Sequence, residues 1–452
     1  MTDDEIRINL LELIKKIKEI IDIEKTKGTI MPEFELFKKW QVTDFNYDDK
    51  GPQIRKNACD IKRPIWRSAF VNLVKIIEKN DNYQDVSNFL KCEQNIKDHN
   101  PNLGVFIQRI ISLYLEKGDL SESEINKRIE AFVLELNNKP IRSGANVQLV
   151  GIILHPEEIE ICNGVTLRRP KKEDFEVEIP AYGFGPDLNF NNPTAFLEIS
   201  MERRSPLEIQ EEVFKAVTIL RLFKLGSVKY ISYRMFSDST LLLWGGTHYS
   251  GDRFSALENC IITDEDVDNL KKFWEILSPV LPPALYKFDS GKVDHISIAY
   301  NSYCDSLLQS GIEEKRIANA IMGLEALYFK SEERTELNQR LSLRTAKLLS
   351  LFFNDPIKIR RVVKDAYEVR STYLHGSRLK DDEKERLLKH YNGNLNDLSK
   401  IVLNYLRKSL IIFITVDMSK DHIISLLEDS FISRMADDEL KRRFESVEVN
   451  IN

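Results

Sequence analysis

Two residues near the carboxyl end of the chain have side chains suited to phosphate chemistry. Arg370 and His375 stand five positions apart in the segment Tyr367-Glu-Val-Arg-Ser-Thr-Tyr-Leu-His-Gly376. A guanidinium stays charged at physiological pH and can bind two phosphate oxygens at once. An imidazole titrates near neutrality, so it can accept a proton or donate one. Together these two groups could bind and cleave a phosphodiester.

RNA is a phosphodiester that carries its own nucleophile. Its 2′-hydroxyl attacks the adjacent phosphorus when a base takes its proton, an acid protonates the leaving 5′-oxygen, and positive charge faces the phosphorane. His375 and Arg370 supply these types of group. The five cysteines are scattered without metal-ligand spacing. We therefore expect a reaction that needs no metal ion and no other cofactor.

Cations are concentrated around this pair. The whole chain carries 65 Lys and Arg against 71 Asp and Glu, a net charge of -6, so any contact with RNA must come from a local basic patch. The stretch 355–380 supplies one, because its lysines and arginines outnumber its acids. The candidate RNA-binding residues are Arg344, Lys364, Tyr367, Ser371 and Arg378.

Two further motifs precede the Arg-His segment. The chain reads Leu324-Glu-Ala-Leu327, then Leu341-Ser-Leu-Arg-Thr-Ala-Lys-Leu-Leu349, and then the segment 367–376. In order and separation these resemble the Apea-like HEPN family, which typically reads LEAL on one helix, L-x2-R-x-A-x-LL on the next and Y-x2-RS-x3-HG on the third. The resemblance covers residues 290–418, and residues 1–286 carry no pattern of a specific family.

The resemblance implies an activity and a set of partners. HEPN domains pair two-fold, so two Arg-His sets line one cleft, and a homodimer suits a reaction in which one imidazole cannot easily be both base and acid. It implies a metal-independent endoribonuclease, an antiviral defence or toxin-like effector that cleaves RNA, tRNA being one candidate. By the same analogy, residues 1–286 would be the sensor or regulator that binds a viral or cellular trigger.

Other interpretations stay open. HEPN domains also serve as non-catalytic dimerisation or binding modules, and substitution of Arg370 and His375 distinguishes the two functions. Arg344 interrupts an apolar stripe, so it either pairs with a buried acid or faces RNA. Glu325 either faces the cleft or is a solvated or capping residue. A weaker alternative is a metal-dependent nuclease around Glu198 and Glu202, where no Asp and Lys complete the set of residues.

The Arg-His motif requires a particular helix end. On a regular helix, positions five apart point about 140° from each other. We therefore expect the helix to end or distort before His375, and Gly376 is suited to that end. Apolar residues spaced three and four apart predict four helices between Val293 and Val416, and these helices form a bundle. The third helix begins at Asp355-Pro356.

The sequence predicts a mixed fold in four parts. These are a helical N-terminal region at 1–140, an α+β middle domain at 141–286, the all-α HEPN-type bundle at 287–418 and a charged helical tail at 419–452. Ser121 and Glu124 form a capping box. The polar stretch 42–61 indicates a loop, and Asn163-Gly164 indicates a hairpin turn between two short strands.

The composition is that of a soluble globular protein, with 42% hydrophobic and 30% charged residues. The odd number of scattered cysteines favours a reducing compartment. The N-terminus is acidic, unlike a signal peptide, and the longest apolar run, Leu410 to Val416, is too short to span a bilayer. We therefore expect a cytoplasmic protein with no membrane partner.

Overall fold

Helices and strands both contribute to the fold of the computed structural model. It describes residues 2–92, 103–137, 139–176, 178–180, 192–203, 206–238, 247–249, 258–287, 293–308, 312–352, 355–377 and 381–445. Two compact units are present, and each is assembled from separate stretches of chain. The first contains Met1–Gln148, Gly164–Gln210 and Ser232–Tyr249, and the second contains Leu149–Asn163, Glu211–Ile231 and Ser250–Asn452. The four ranges expected from the sequence stay a prediction, and the two units cut across them.

Five helices of the first unit share a hydrophobic core. They are α1 (Asp3–Thr26), α2 (Arg67–Ile77), α3 (Asp81–Cys92), α4 (Leu103–Lys117) and α5 (Glu122–Leu136). Leu10 of α1 and Phe106 of α4 are fully buried in this core. The predicted capping box begins α5, because Ser121 accepts from the Glu124 amide while the Glu124 carboxylate accepts from the Ser121 amide.

A long hairpin interrupts these helices and corrects the expectation of a loop at 42–61. Strands β1 (Glu33–Asp48) and β2 (Gly51–Ile65) pair antiparallel, and Gly51 at the turn has a φ of 95°. Few side chains of either strand are buried, so burial does not impose an alternation of apolar and polar residues. The N-terminal region is therefore not wholly helical.

The remaining strands are short. The first unit contains residues of β3 (Ile141–Val150), β6 (Val165–Arg168), β7 (Glu178–Pro180), β8 (Ala195–Arg203), β9 (Lys229–Ser237) and β10 (Thr247–Tyr249). Strand β7 pairs with β1, and five of the others lie in the order β10-β9-β3-β8-β6. The predicted turn at Asn163-Gly164 is present between β5 (Glu158–Cys162) and β6, with Gly164 at a φ of 78°.

The second unit is mainly helical. Strand β4 (Ile152–Leu154) pairs parallel with β11 (Cys260–Ile262), and most of α6 (Pro206–Phe223) belongs here together with α7 (Val267–Val280). The last eight described helices are α8 (His295–Leu308), α9 (Glu313–Tyr328), α10 (Leu337–Leu349), α11 (Pro356–Leu374), α12 (Asp381–Leu388), α13 (Leu395–Thr415), α14 (Lys420–Asp429) and α15 (Arg434–Glu445).

A close approach of helices fixes the centre of this bundle. A Cβ added to Gly323 of α9 would lie 2.6 Å from the Leu406 side chain of α13 and 3.2 Å from the Ala299 carbonyl oxygen of α8. Glycine is therefore the residue that lets these three helices meet. None of the described helices is long and apolar enough to cross a lipid bilayer.

Candidate active site

Helix α11 carries the Arg-His motif and has well-defined ends. The Asp355 carboxylate accepts a hydrogen bond from the Lys358 amide at 2.8 Å, and Pro356 occupies the first turn, where its missing N–H costs nothing. At the other end, the Gly376 amide donates to the Tyr373 carbonyl and the Ser377 amide donates to the Thr372 carbonyl. This pair of bonds is the Schellman motif.

The helix ends immediately before the histidine, as the sequence predicts. Leu374 is the last helical residue, His375 is the capping residue and Gly376 has a φ of 69°. The side of α11 that packs into the bundle is apolar and includes Val362 and Val369. Lys364 and His375 are exposed. The imidazole therefore faces solvent at a helix C-terminus.

Arg370 lies at the margin of the buried side, where α11 packs on α9. Its Nη2 donates to the Glu325 carboxylate at 2.9 Å, and the two side chains are only 23% and 17% exposed. The guanidinium also lies over the Tyr367 ring, 5.4 Å from the ring centroid. These contacts hold the cation in one place. Glu325 is therefore a site residue that the sequence analysis left unassigned.

One donor of Arg370 remains unused. Its Nε is buried and has no hydrogen-bond partner among the described residues. An unpaired buried donor costs free energy, so native proteins rarely keep one without a purpose.

Burial governs the titration of the groups around Arg370. Burial raises the pKa of the Glu325 carboxyl, although the charge and hydrogen bond of Arg370 act in the opposite direction. Burial also raises the pKa of the Tyr367 hydroxyl, and the Glu325 charge adds to that shift. The cluster is thus a partly desolvated ion pair with a phenol beside it.

His375 is not joined to this cluster within one chain. Among the described residues, no hydrogen bond, ion pair or ring contact connects its imidazole to Arg370. Ser371 is half-buried one helical turn before His375. Arg378, which the sequence analysis also assigns to RNA binding, lies outside the described residues.

Arg344 has a different environment from the other candidates. It is 1% exposed, and its guanidinium donates to Glu333 at 2.5 and 2.8 Å and to Glu428 at 2.5 Å. It also donates to the Tyr328 carbonyl at 2.6 Å. Of the two interpretations that the sequence leaves open, this geometry favours the buried ion pair. We therefore leave Arg344 out of the RNA-binding set.

A basic hollow adjoins the first half of α11. It has a volume of about 310 Å³, and its lining includes Lys358, Arg361, His390 and Lys400 together with one acid, Asp397. The first two belong to the basic stretch 355–380. His390 and Lys400 follow in later segments, so only the fold brings them to this helix.

The metal-dependent nuclease interpretation gains no support from Glu198, one of its two residues. The Glu198 carboxylate accepts a hydrogen bond from Arg168 at 2.6 Å, so its charge is already paired. The sequence matches no protein-family model and no curated protein, and the chain matches no solved structure. The resemblance to HEPN domains therefore depends on the three motifs alone.

Proposed function

We propose that this chain is a metal-independent endoribonuclease of HEPN type, with Arg370 and His375 as catalytic residues. One observation carries the proposal. The helix that holds a partly buried, fixed arginine ends in a Schellman motif immediately after the histidine, and this leaves the imidazole in solvent. In that arrangement Arg370 is a cation held in place, and His375 is a separate group that is accessible for proton transfer.

The two side chains would have different roles in cleavage. Arg370 would bind the scissile phosphate through its outer nitrogens, and its charge would stabilise the phosphorane. His375 would transfer a proton. As a donor, it would protonate the leaving 5′-oxygen. A second chain would supply the other imidazole, as base for the 2′-hydroxyl.

The basic side of α11 offers a path for the RNA backbone. Lys364 is exposed, and Arg361 lines the basic hollow. At 1.5 Å of rise per residue, Arg361 lies about 21 Å from His375 along the axis. An RNA strand that followed this side would therefore contact several cations before it reached the histidine.

The biological setting follows from the family analogy alone. We propose a cytoplasmic antiviral or toxin-like effector that is inactive until a viral or cellular trigger binds residues 1–286. Its RNA substrate is cleaved internally, and tRNA is one candidate. The alternative is a non-catalytic HEPN module that uses the same helices for dimerisation or binding.

The chemistry of the product ends tests the proposal. The full chain is incubated with labelled tRNA and mRNA, with and without EDTA, and is also expressed in cells to measure growth arrest. We expect cleavage in EDTA that leaves 2′,3′-cyclic phosphate and 5′-hydroxyl ends. Activity that EDTA abolishes and Mg²⁺ restores would refute this mechanism. RNA binding without cleavage or growth arrest would favour the non-catalytic module.

A further inference from the structure

A second cavity lies within the second unit, at a place that the ribonuclease proposal does not use. It has a volume of about 220 Å³ and lies between α6, the start of β9, the segment 284–287 and α8. Its principal lining residues are Phe214, Thr218, Arg221, Tyr230, Tyr286 and Tyr300. We call it the Arg221 cavity. Most of these side chains present flat rings, and one presents a cation.

Arg221 has no acidic partner among the described residues. Its Nε donates to the Val228 carbonyl oxygen at 2.8 Å, and one outer nitrogen lies 3.7 Å from the Cys304 sulfur. Glu211, an acid of the same helix, is paired with Lys287 at 3.4 Å. A positive charge that faces a cavity without a carboxylate favours an anionic ligand.

None of the Arg221 nitrogens is both buried and unpaired. Arg221 is one of the residues that line the cavity. A guanidinium has five N–H donors, so those that the protein does not engage can contact a ligand there. The Tyr300 hydroxyl, which lies beside them, donates to Thr218 at 2.9 Å. Its oxygen is thereby oriented, and the polar end of the cavity is rigid before any ligand enters.

The walls around this polar end are aromatic. The Phe214 and Tyr230 rings lie 5.8 Å apart at a tilt of 53°, and the Lys215 ammonium lies 5.9 Å from the Tyr286 ring centroid. Flat side chains at such spacing offer ring faces and edges to a planar ligand. Lys215 adds a second positive charge near the rim.

We propose that the Arg221 cavity binds a small aromatic anion, a single flat ring system that bears one carboxylate or phosphate group. The acidic group would contact Arg221, and the ring would lie among Phe214, Tyr230 and Tyr286. The volume is below the roughly 300 Å³ at which pockets for larger ligands begin. It suits one ring with one acidic group. This site is independent of the ribonuclease proposal, because it involves neither Arg370 nor His375.

Calorimetric titration of the full chain tests the site. Phenyl phosphate and benzoate are the two anionic probes, and they distinguish a phosphate ligand from a carboxylate ligand. Benzyl alcohol and inorganic phosphate supply the ring and the anion separately. We expect at least one anionic probe to bind and both controls to bind on the order of tenfold more weakly. Benzyl alcohol lacks the charge-assisted hydrogen bond, and inorganic phosphate lacks the contacts of the ring.

Two variants locate the binding. Arg221→Met removes the cation. Ala284→Phe fills the cavity and leaves Arg221 in place, so this second variant still tests the site if Arg221→Met fails to fold. Each should weaken the anionic probe by about tenfold or more, whereas Arg434→Met, an exposed control on α15, should not. The proposal is overturned if neither anion binds at millimolar concentration, if benzyl alcohol binds as well, or if Ala284→Phe leaves the affinity unchanged.

Discussion

Arg370 and His375 differ in how firmly the protein holds them. Arg370 is fixed by the Glu325 carboxylate and the Tyr367 ring, whereas the His375 imidazole extends into solvent from a helix end. Substitution of Arg370 by an uncharged residue therefore disturbs both the fold and the proposed chemistry. Substitution of His375 should disturb the chemistry alone, which makes it the cleaner test.

Arg370→Lys separates charge from geometry. Lysine keeps a cation near Glu325 but cannot bind two phosphate oxygens in the plane of a guanidinium. We expect RNA cleavage to fall by at least about 100-fold, as when one donor to a transition-state anion is removed. The thermal melt should change little. Arg360→Lys, an exposed substitution on the same helix, is the control, and near-normal cleavage by Arg370→Lys would contradict the bidentate role.

The raised pKa of Glu325 predicts a pH dependence of stability. A carboxyl whose pKa is higher in the folded chain stabilises the fold at low pH, and this contribution is lost as pH rises through the folded pKa. Glu325→Gln cannot ionise. The melting temperature of the natural chain, relative to this variant, should therefore fall as pH rises from about 4.5 towards neutrality.

Exposed Glu332→Gln is the matched control for that measurement, because its carboxyl lies in solvent in the same unit. Its melting temperature should follow that of the natural chain across the same pH range. The melting temperature of the natural chain relative to Glu325→Gln could instead stay constant or increase as pH rises. That result would mean that burial does not govern the titration of Glu325.

The capping residues in the sequence predicted both ends of α11. The sequence did not predict the exposed strands β1 and β2. Asp355-Pro356 and Gly376 specify both ends of α11 through their own backbone chemistry, so no tertiary information was needed. The hairpin of β1 and β2 was missed because polar residues such as Lys56 and Asp60 occupy it without burial constraints. Its strands are held together by backbone hydrogen bonds, which do not require particular side chains and are therefore hard to predict from the sequence.

The sequence alone leaves the role of Arg344 open, because that role depends on how the helices pack. Its ion pairs join α10 to Glu428 on α14 and to Glu333 in the segment between α9 and α10. Removal of one partner leaves buried charge, so Arg344→Met should lower the free energy of unfolding by about 3–5 kcal/mol. Urea denaturation measures the effect.

Arg340→Met provides the comparison, because this half-exposed residue contacts the same Glu333. Exposed ion pairs contribute about 0–1 kcal/mol, so its effect should be small. Equal effects of the two substitutions would mean that Arg344 is not the centre of a buried cluster. A loss of RNA binding by a stable Arg344→Met would restore the RNA-facing interpretation.

The whole molecule is less modular than its sequence indicates. Arg407 on α13 donates to the carbonyl oxygens of Leu222 and Phe223, both at 2.7 Å, and so caps the carboxyl end of α6. Such a contact links positions almost two hundred residues apart, which local patterns cannot report. A fragment that begins at residue 287 would leave Arg407 without these partners, so function is best tested in the full chain.

The proposed reaction uses two chains, since the second chain supplies the imidazole that acts as base. Leu374 is 51% exposed beside the histidine, which suits an interface. We expect light scattering to show a dimer or a higher even oligomer at micromolar concentration, and Leu374→Glu to shift it towards the monomer. Ile432→Glu, at an 88% exposed position on the same unit, should leave the mass unchanged. A stable monomer of the natural chain would contradict the dimeric site.

His375→Ala in the full chain tests the central claim most directly, with RNA cleavage and the thermal melt measured on the same preparation. An exposed capping residue contributes little burial, so the substitution should cost less than about 1 kcal/mol of stability. Loss of an acid–base group should lower the cleavage rate by roughly 10²–10⁴. Exposed His422→Ala should leave both unchanged. If His375→Ala cleaves RNA as the natural chain does, the active site lies elsewhere, and if it unfolds the protein, the histidine is structural.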